Sequence, residues 1–314
     1  MMKRIVLAAG LLVCAQAPLS RAADLNDLPA GTKWVLNLDL KAAQASPMIN
    51  YAIDKIAPAK RREAQTKFAA IKALFGIDLL KDIIQVVIAG NGNAEKGGVA
   101  YVYGVFDVER LSTILAANQN FTTAQHSGFT VLGWKDDSQK YLSFARPGLA
   151  MLSGSQTALT EALDVLAEKK AGLAADSPFK PALSGKGSVL TVMAIDVPSI
   201  VGEQPKAQAL RQAQALCLRV NASQPETLCA TLSVTATSEE TAVQIRQALM
   251  GIQALAQLRA SEAPEQATLA ALAKISGEGK QIGVTLDLPK SVIETAIRQR
   301  EAHEAAKAAP AAAQ

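Results

Sequence analysis

Residues 35–40 of the chain read VLNLDL, and residues 192–197 read VMAIDV. Each segment is a short aliphatic run that closes on Asp and an aliphatic residue, a pattern typical of a strand that leads into a helix. Helical spacing, two more strands and another helix follow each segment along the chain. The repeat predicts an α+β fold of two related subdomains from a diverged internal duplication, with mainly antiparallel sheets and helices packed on one face.

One loop-like stretch separates the two repeated halves. Residues 173–187 contain two prolines and several small side chains, which is typical of a linker. We therefore expect a first α+β subdomain over 24–172 and a second over 188–303. The Ala-rich residues 304–314 offer little to a core, and we expect a disordered tail there.

The aromatic residues are distributed unevenly between the halves. All 13 lie within residues 34–179, so a pocket that stacks on a ring or a sugar is expected in the first half. The strand predicted over 98–106 carries apolar residues on both faces. This indicates either a second packed layer or an apolar groove for a lipid-like ligand, with Tyr101, Tyr103 and Trp134 as the candidate groove residues.

Residues 1–23 have the pattern of a secretory signal peptide. Two basic residues, Lys3 and Arg4, stand near the start, and the apolar run over 5–13 is too short to span a bilayer. Ser20 and Ala22 are small residues with the spacing that a signal peptidase recognises. The pattern predicts cleavage near Ala22 or Ala23 and a protein located in the periplasm or secreted.

Removal of this signal changes both the cysteine count and the net charge of the chain. Lipid attachment at Cys14 would need a small residue before it, and the bulky Val13 argues against a lipid anchor. Loss of Lys3, Arg4 and Arg21 lowers the 32 basic residues to 29 against 28 acidic ones, so the net charge falls from +4 to about +1. A chain whose charges are so evenly balanced has no general reason to bind nucleic acid. No later apolar run is long enough to predict a transmembrane segment.

Short polar side chains recur where a strand is followed by a helix. Four such strands end in an apolar residue, an Asp and a Val or Leu, and their aspartates are Asp39, Asp107, Asp196 and Asp287. Ser155 and Ser238 occupy similar junctions. A side-chain oxygen at a helix start accepts an otherwise unpaired backbone N–H, a contact of about 1 kcal/mol. We expect six helix caps; the alternative is that the aspartates converge as an acid/base or cation site.

The two remaining cysteines lie in a predicted hairpin of strands 216–221 and 227–235. Strand alternation places Cys217 and Cys229 on the more polar face of the hairpin. If the turn centres on Ser223, the two cysteines are directly opposite and within disulfide reach. An exported chain can keep such a bond, worth about 2–3 kcal/mol. The alternative is a pair of free thiols.

Several site chemistries have no pattern in the sequence. The histidines are His126, in a predicted hairpin turn, and His303, near the tail, and neither belongs to a zinc motif. The chain has no Gly-x-Ser-x-Gly elbow, no P-loop and no complete dinucleotide-binding loop. We expect no cofactor, no metal site and no catalytic residue, while hydrolysis by carboxylates alone stays an alternative.

Two stretches carry a family resemblance, LPAGTKWVLNLDLKAAQASPM over 28–48 and LFGIDLLKDIIQVVIAG over 74–90. They resemble uncharacterised exported proteins of Gram-negative bacteria, a domain of unknown function. In those proteins an Asp ends the first strand, a Ser-Pro enters a helix, and Gly-x-Asp and Lys-Asp precede the next strand. The resemblance covers mainly residues 28–110. It implies a repeated α+β fold and an envelope location, and it carries no catalytic residues to transfer.

Three functional hypotheses follow from the sequence. The first is an exported, non-catalytic protein that binds a partner protein or a ligand. The second is a periplasmic carrier that holds a lipid-like apolar ligand in a groove of the first half. The third is a hydrolase that depends on carboxylates.

Overall fold

The computed structural model describes residues 23–55, 58–92, 97–117, 120–135, 137–184, 187–201, 210–261, 264–295 and 297–298. Residues 1–22 of the signal predicted over 1–23, the predicted tail and His303 lie outside these residues. The predictions made for them remain predictions.

The strands of the described chain are β1 (Trp34–Asp39), β2 (Ile83–Gly90), β3 (Val99–Gly104), β4 (Thr122–His126), β5 (Phe129–Lys135), β6 (Gln139–Arg146), β7 (Leu149–Ser153), β8 (Ser188–Ile195), β9 (Ala213–Gln224), β10 (Thr227–Ala236), β11 (Ala273–Glu278) and β12 (Gln281–Pro289). Its α-helices are α1 (Leu40–Ala45), α2 (Pro47–Asp54), α3 (Pro58–Phe75), α4 (Val108–Ala116), α5 (Gln156–Leu166), α6 (Lys180–Ser184), α7 (Val197–Val201), α8 (Glu239–Leu258) and α9 (Pro264–Leu272). Residues 290–295 are also helical.

These twelve strands form one antiparallel sheet. Its order is β11-β12-β10-β9-β8-β1-β2-β3-β7-β6-β5-β4. Most neighbours in the sheet are close in sequence, because hairpins join antiparallel strands directly. The predicted α+β class and the antiparallel pairing are therefore confirmed.

The two repeated segments pair with each other in the middle of the sheet. On β1 and β8, Val35 lies opposite Met193 and Leu36 lies opposite Val192. Equivalent residues of the repeat thus exchange places about a local twofold axis. Outward from this axis the first half runs β1-β2-β3-β7 and the second runs β8-β9-β10-β12, which is the order that a duplication predicts. Strands β4 to β6 and β11 extend the two ends.

Residues paired across neighbouring antiparallel strands lie on the same side, which divides the sheet into two faces. We call face A the side that carries Val35, Val87, Tyr101 and Met151. We call face B the side that carries Leu36, Val86, Val102 and Ala150.

Face A of the first half is covered by α5, by α6 and by the chain that precedes β1. The buried residues of this core include Leu28, Val35, Val87, Tyr101, Tyr103, Leu149, Met151, Leu159, Leu163, Leu173 and Phe179. Burial of each large apolar side chain stabilises the fold by about 1.5–3 kcal/mol. This core is therefore a main contribution to the stability of the first half.

The segment predicted as a linker packs into this core. Leu173, Phe179 and Leu183 are buried there. On the central strand, Asn37 donates from Nδ2 to the carbonyl of Ala182 at 2.9 Å, which ties α6 to β1. The predicted subdomain boundary over 173–187 thus coincides with a packed segment, and one sheet runs through both halves.

The expectation of helices on one face needs correction. In the first half α5 packs on face A, whereas Leu115 of α4 packs on face B with Leu132, Leu142 and Ala150. The physical reason is that the strands at the centre of the first half are apolar on both sides, so both faces need a cover. In the second half α8 packs on face B, where Ile245 joins a separate core around the buried Val234 and Ile282.

Candidate apolar ligand site

An apolar cavity of about 510 Å³ lies on face B of the first half. Its walls are formed by Leu40, Phe68, Phe75, Ile77, Leu79, Leu80, Ile83, Val86, Val102, Phe106, Leu111, Leu115, Trp134, Leu142, Phe144, Ala150 and Leu152. The volume lies within the range of roughly 300–1,000 Å³ that is usual for small-molecule sites. We call this space the apolar cavity.

The floor of the apolar cavity is the sheet itself. Val86, Val102, Ala150 and Phe144 form one paired row across β2, β3, β7 and β6. Every second residue of a strand points to the same side, so these strands can present a purely apolar surface to face B. The methyl group of Ala150 stands between the larger side chains of Val102 and Phe144 and leaves space above the sheet.

Helix α4 forms one side of the roof. Its start is fixed by Asp107, whose carboxylate accepts a hydrogen bond from the backbone N of Arg110 at 3.0 Å. Leu111 and Leu115 are four residues apart and therefore lie on one side of the helix, toward the cavity. Leu111 is 5% exposed, so this side of the roof is well packed.

Helix α3 forms the other side of the roof through Phe68 and Phe75. No residue within 61–75 is buried, and Phe68 is 39% exposed. The helix ends at Gly76, whose φ of +73° is the left-handed conformation of a helix C-terminus. This side of the roof is therefore held by fewer buried side chains than the α4 side.

The chemistry of the apolar cavity is uniform. Every wall residue in the described part of the chain is aliphatic or aromatic. A wall of this kind offers no acid, base or nucleophile to a substrate, and it gives water few hydrogen-bond partners. The arrangement is suited to holding an apolar group by burial alone.

The candidate groove residues separate onto opposite faces of the sheet. Trp134 lines the apolar cavity. Tyr101 and Tyr103 instead point into the core on face A, where they are 0% and 1% exposed, and this placement corrects the predicted groove. They alternate along β3 with Val102, which is the residue of that strand that meets the cavity.

The two tyrosines belong to a buried polar cluster. Tyr103 donates from its hydroxyl to Oδ2 of Asp27 at 3.3 Å, and Arg146 binds the same carboxylate. Burial raises the pKa of both Tyr101 and Tyr103, and the charge of Asp27 raises it further. Both phenols therefore stay neutral, and neither is poised to act as a base.

Four of the six predicted helix caps take their expected places. The side chains of Asp39, Asp107, Ser155 and Ser238 accept from the backbone N of the third residue onward, at 2.8, 3.0, 3.3 and 3.1 Å. Ser46 caps α2 in the same way and was not predicted. These oxygens are engaged in local structure and do not converge on one cleft.

The other two predicted caps need correction. The carboxylate of Asp196 accepts from Nζ of Lys33 at 2.8 Å, and this contact, with Ser199, lowers the pKa of Asp196. Asp287 lies inside β12, because that strand continues to Pro289 before the helix begins. Its carboxylate accepts from Nζ of Lys274 at 3.1 Å, and this contact lowers the pKa of Asp287.

The predicted disulfide is also corrected. Both cysteines lie on face A, yet Cys217 is opposite Ser233 and Cys229 is opposite Asn221. The hairpin turns after Gln224 instead of at Ser223, which shifts the pairing by four residues. At about 3.4 Å per residue the shift separates the two cysteines by roughly 14 Å along the strands, beyond disulfide reach. Both thiols are free, and burial raises the pKa of each.

The described histidine is part of a local structural contact. His126 lies 2.7 Å from Asp164 through Nε2, and the neighbouring Ser127 hydroxyl donates to the same carboxylate at 2.5 Å. These bonds join the β4–β5 turn to α5. Within the described ranges, no three His, Cys, Asp or Glu side chains cluster as a metal site requires. None of the described helices is both long and apolar enough to cross a bilayer.

The chain has structural relatives among known proteins. No family model and no curated protein matches it. It is similar to TP0453 in crystal form III, with a TM-score of 0.50 and 13% identity over 88% of this chain and 99% of that chain. Crystal forms I and IV of TP0453 align with TM-scores of 0.47 and 0.48, at 11% and 12% identity over 88% of this chain. At such identity the likeness shows the fold alone.

Proposed function

We propose that this chain is an exported, non-catalytic binding protein that holds the acyl chain of a lipid-like ligand in the apolar cavity. The observation that carries the proposal is the wall of that cavity, in which every described residue is aliphatic or aromatic. The export signal predicted over 1–23 supports a periplasmic location, where apolar molecules need a protein to cover them in water.

The physical chemistry of burial favours an acyl chain. Each methylene moved from water into an apolar site contributes about 0.8 kcal/mol, so ten methylenes contribute roughly 8 kcal/mol. Part of this free energy offsets the cost of association and of chain ordering, and the remainder is affinity. An empty apolar cavity binds no well-ordered water, so the ligand displaces little that is hydrogen-bonded.

The route into the apolar cavity runs beneath α3. The stretch 61–75 contributes no buried residue, whereas α4 is anchored by the buried Leu111. A helix that covers a cavity with few buried contacts separates from it at low cost. We therefore assign α3 as the movable part of the wall and α4 with the sheet as its fixed part.

The carboxylate hydrolase is the less favoured hypothesis. Asp39 and Asp107 accept from backbone amides, and Asp196 and Asp287 accept from lysines. No Asp or Glu of the described chain lines the apolar cavity. Two carboxylates aimed at one bond, as glycoside hydrolysis needs, are absent from its wall.

The test is a titration of delipidated protein with 11-(dansylamino)undecanoic acid, followed by energy transfer from tryptophan in a Trp34→Phe background. Trp134 is then the one remaining tryptophan and lies in the cavity wall. We expect saturable binding of one probe per chain, reversed by palmitic acid. Ala150→Phe fills the space above the floor and should weaken binding at least tenfold.

Ala254→Phe is the matched control, because it adds the same ring to an exposed position of α8. It should bind the probe like the parent protein. Thermal unfolding of each variant verifies that it is folded. Probe binding that palmitic acid does not reverse, or that Ala150→Phe leaves unchanged in a folded protein, contradicts the proposal.

A further inference from the structure

A second cavity, of about 360 Å³, lies on face A where α6 meets the second half. Pro178 and Pro181 form one wall, and strands β8, β9 and β10 form the rest. The strand wall includes Cys217, Arg219, Asn221, Thr231 and Ser233. We call this space the polar cavity. The sheet separates it from the apolar cavity, which is on face B.

Arg219 lies at the centre of the strand wall. Thr191 of β8 and Thr231 of β10 are its direct neighbours on either side. The Nε of Arg219 is buried and has no hydrogen-bond partner among the described residues, and the same holds for Oγ1 of Thr191, a residue that is 1% exposed. A buried donor without a partner destabilises the native state. Arg219 lines the polar cavity, so a ligand held there can supply the acceptor that its Nε lacks.

The charge of the polar cavity is one-sided. Arg219 contributes a positive charge, and within the described ranges no Asp or Glu lines the wall. Asp287, which shares face A, is already held by Lys274 at 3.1 Å. An arginine next to hydroxyl groups and without a carboxylate has the donor set of an oxyanion site.

The guanidinium group also fixes which kind of anion fits. Its planar fork donates two parallel hydrogen bonds to two oxygens of a carboxylate or a phosphate. The hydroxyls of Thr231 and Ser233 and the amide of Asn221 are further polar groups on the same wall. Pro178 and Pro181 close the opposite side and limit the space to a small molecule or a small headgroup.

We propose that the polar cavity binds the carboxylate or phosphate group of a small molecule through the Arg219 guanidinium. The site is separate from the apolar cavity, because it lies on the other face of the sheet. It gives the protein a second, charge-selective ligand.

The first experiment follows thermal unfolding of the full mature chain in sodium phosphate and, separately, in sodium acetate. Sodium chloride keeps the ionic strength constant. We expect a saturable rise of the unfolding midpoint with at least one of the two anions, since a ligand that binds the native state stabilises it. A response to phosphate alone assigns a phosphate site, and a response to acetate alone assigns a carboxylate site.

Three variants identify the residue responsible. Arg219→Gln should abolish the saturable response, and Arg219→Lys should retain part of it, because the charge remains while the fork is lost. Arg298→Gln removes a cation whose side chain is 73% exposed and outside the cavity, and it should respond like wild type. A wild-type protein without a saturable response to either anion, or an Arg219→Gln protein that responds like wild type, overturns the proposal.

A second readout uses the wild-type protein alone. Cys217 lines the polar cavity beside Arg219, while Cys229, on the same face, does not. A bound anion covers the Cys217 thiol and opposes its ionisation, so alkylation by iodoacetamide should slow at least threefold at saturating anion. Cys229 should react at an unchanged rate. Equal rates for Cys217 with and without the anion overturn the proposal.

Discussion

Arg146 binds the carboxylate of Asp27 with both of its terminal nitrogens, Nη1 reaching Oδ1 at 3.0 Å and Nη2 reaching Oδ2. The Asp27 side chain is 8% exposed, and Tyr103 donates to it as well. The neighbouring Leu28 is fully buried in the core on face A. This ion pair therefore fastens the chain that precedes β1 to strand β6, and it explains why that chain packs against face A.

Removal of Arg146 should destabilise the fold, because it leaves a buried charge without its partner. We expect Arg146→Ala to lower the free energy of unfolding by about 3 kcal/mol. Arg146→Lys should lose less, because one charged contact remains. Urea denaturation measures both, with the exposed Arg298→Ala expected to stay within about 0.5 kcal/mol of wild type. A loss below about 1 kcal/mol for Arg146→Ala contradicts the role assigned to the pair.

The aspartates at helix starts should behave as caps. Asp39→Ala and Asp107→Ala each remove an acceptor for a backbone amide, and each should cost about 1 kcal/mol of unfolding free energy. The corresponding Asn variants should retain most of this stabilisation, because the side-chain amide oxygen still accepts the backbone N–H. Asp287→Ala is the matched control, since Asp287 lies in a strand and pairs with the exposed Lys274. Equal losses at Asp287 and Asp39 would argue against the assignment.

The two cysteines should remain free thiols in the mature protein. Peptide mapping under non-reducing conditions should find Cys217 and Cys229 both alkylated. The Cys217→Ser/Cys229→Ser double variant should unfold at nearly the same urea concentration as wild type, with or without reductant. A disulfide would instead add about 2–3 kcal/mol that reductant removes. A mapped bond between the two cysteines would show that the β9–β10 register is incorrect.

The hydrogen bonds to the Asp164 carboxylate predict that the stability of the fold depends on pH. The Ser127 hydroxyl, with His126, holds the pKa of Asp164 below its usual value. A lowered carboxyl pKa stabilises the native state above the unfolded pKa of about 3.9, and this stabilisation is lost as the pH falls through the lower native value. Wild type should therefore exceed Asp164→Asn in urea resistance at pH 6, and the difference should shrink as the pH falls below about 3.9. A difference that persists at low pH is inconsistent with this contact.

Most strands could be predicted from the sequence because their period-two patterns are local. The segments at Val35 and Val192 even predicted the repeat that meets in the centre of the sheet. Strand β11 could not be predicted, because Lys274 and Ile275 continue the helical spacing of α9 and pair with β12 only in the folded sheet. The β9–β10 turn lies two residues later than predicted, and this difference is enough to separate the two cysteines.

Only part of the candidate site could be predicted from the sequence. Aromatic content pointed to the first half, where the apolar cavity lies with Trp134 in its wall. The pattern of β3 could not say which side faces the cavity, because Tyr101 and Val102 are both apolar enough to be buried. That choice depends on where α3 and α5 pack, and these contacts are distant in sequence. The four-residue spacing of Leu111 and Leu115 in α4 is a sequence signal that could have indicated this side of the wall.

The most direct test of the apolar cavity as a ligand site is native mass spectrometry of the protein, expressed with its predicted signal segment and purified without detergent. We expect a population with one lipid-like adduct per chain, which organic extraction removes. We also expect that Ala150→Phe, folded and prepared in parallel, lacks the adduct. Wild-type protein that carries no adduct in such preparations, or an adduct that Ala150→Phe retains in equal amount, would show that the apolar cavity is not a lipid site.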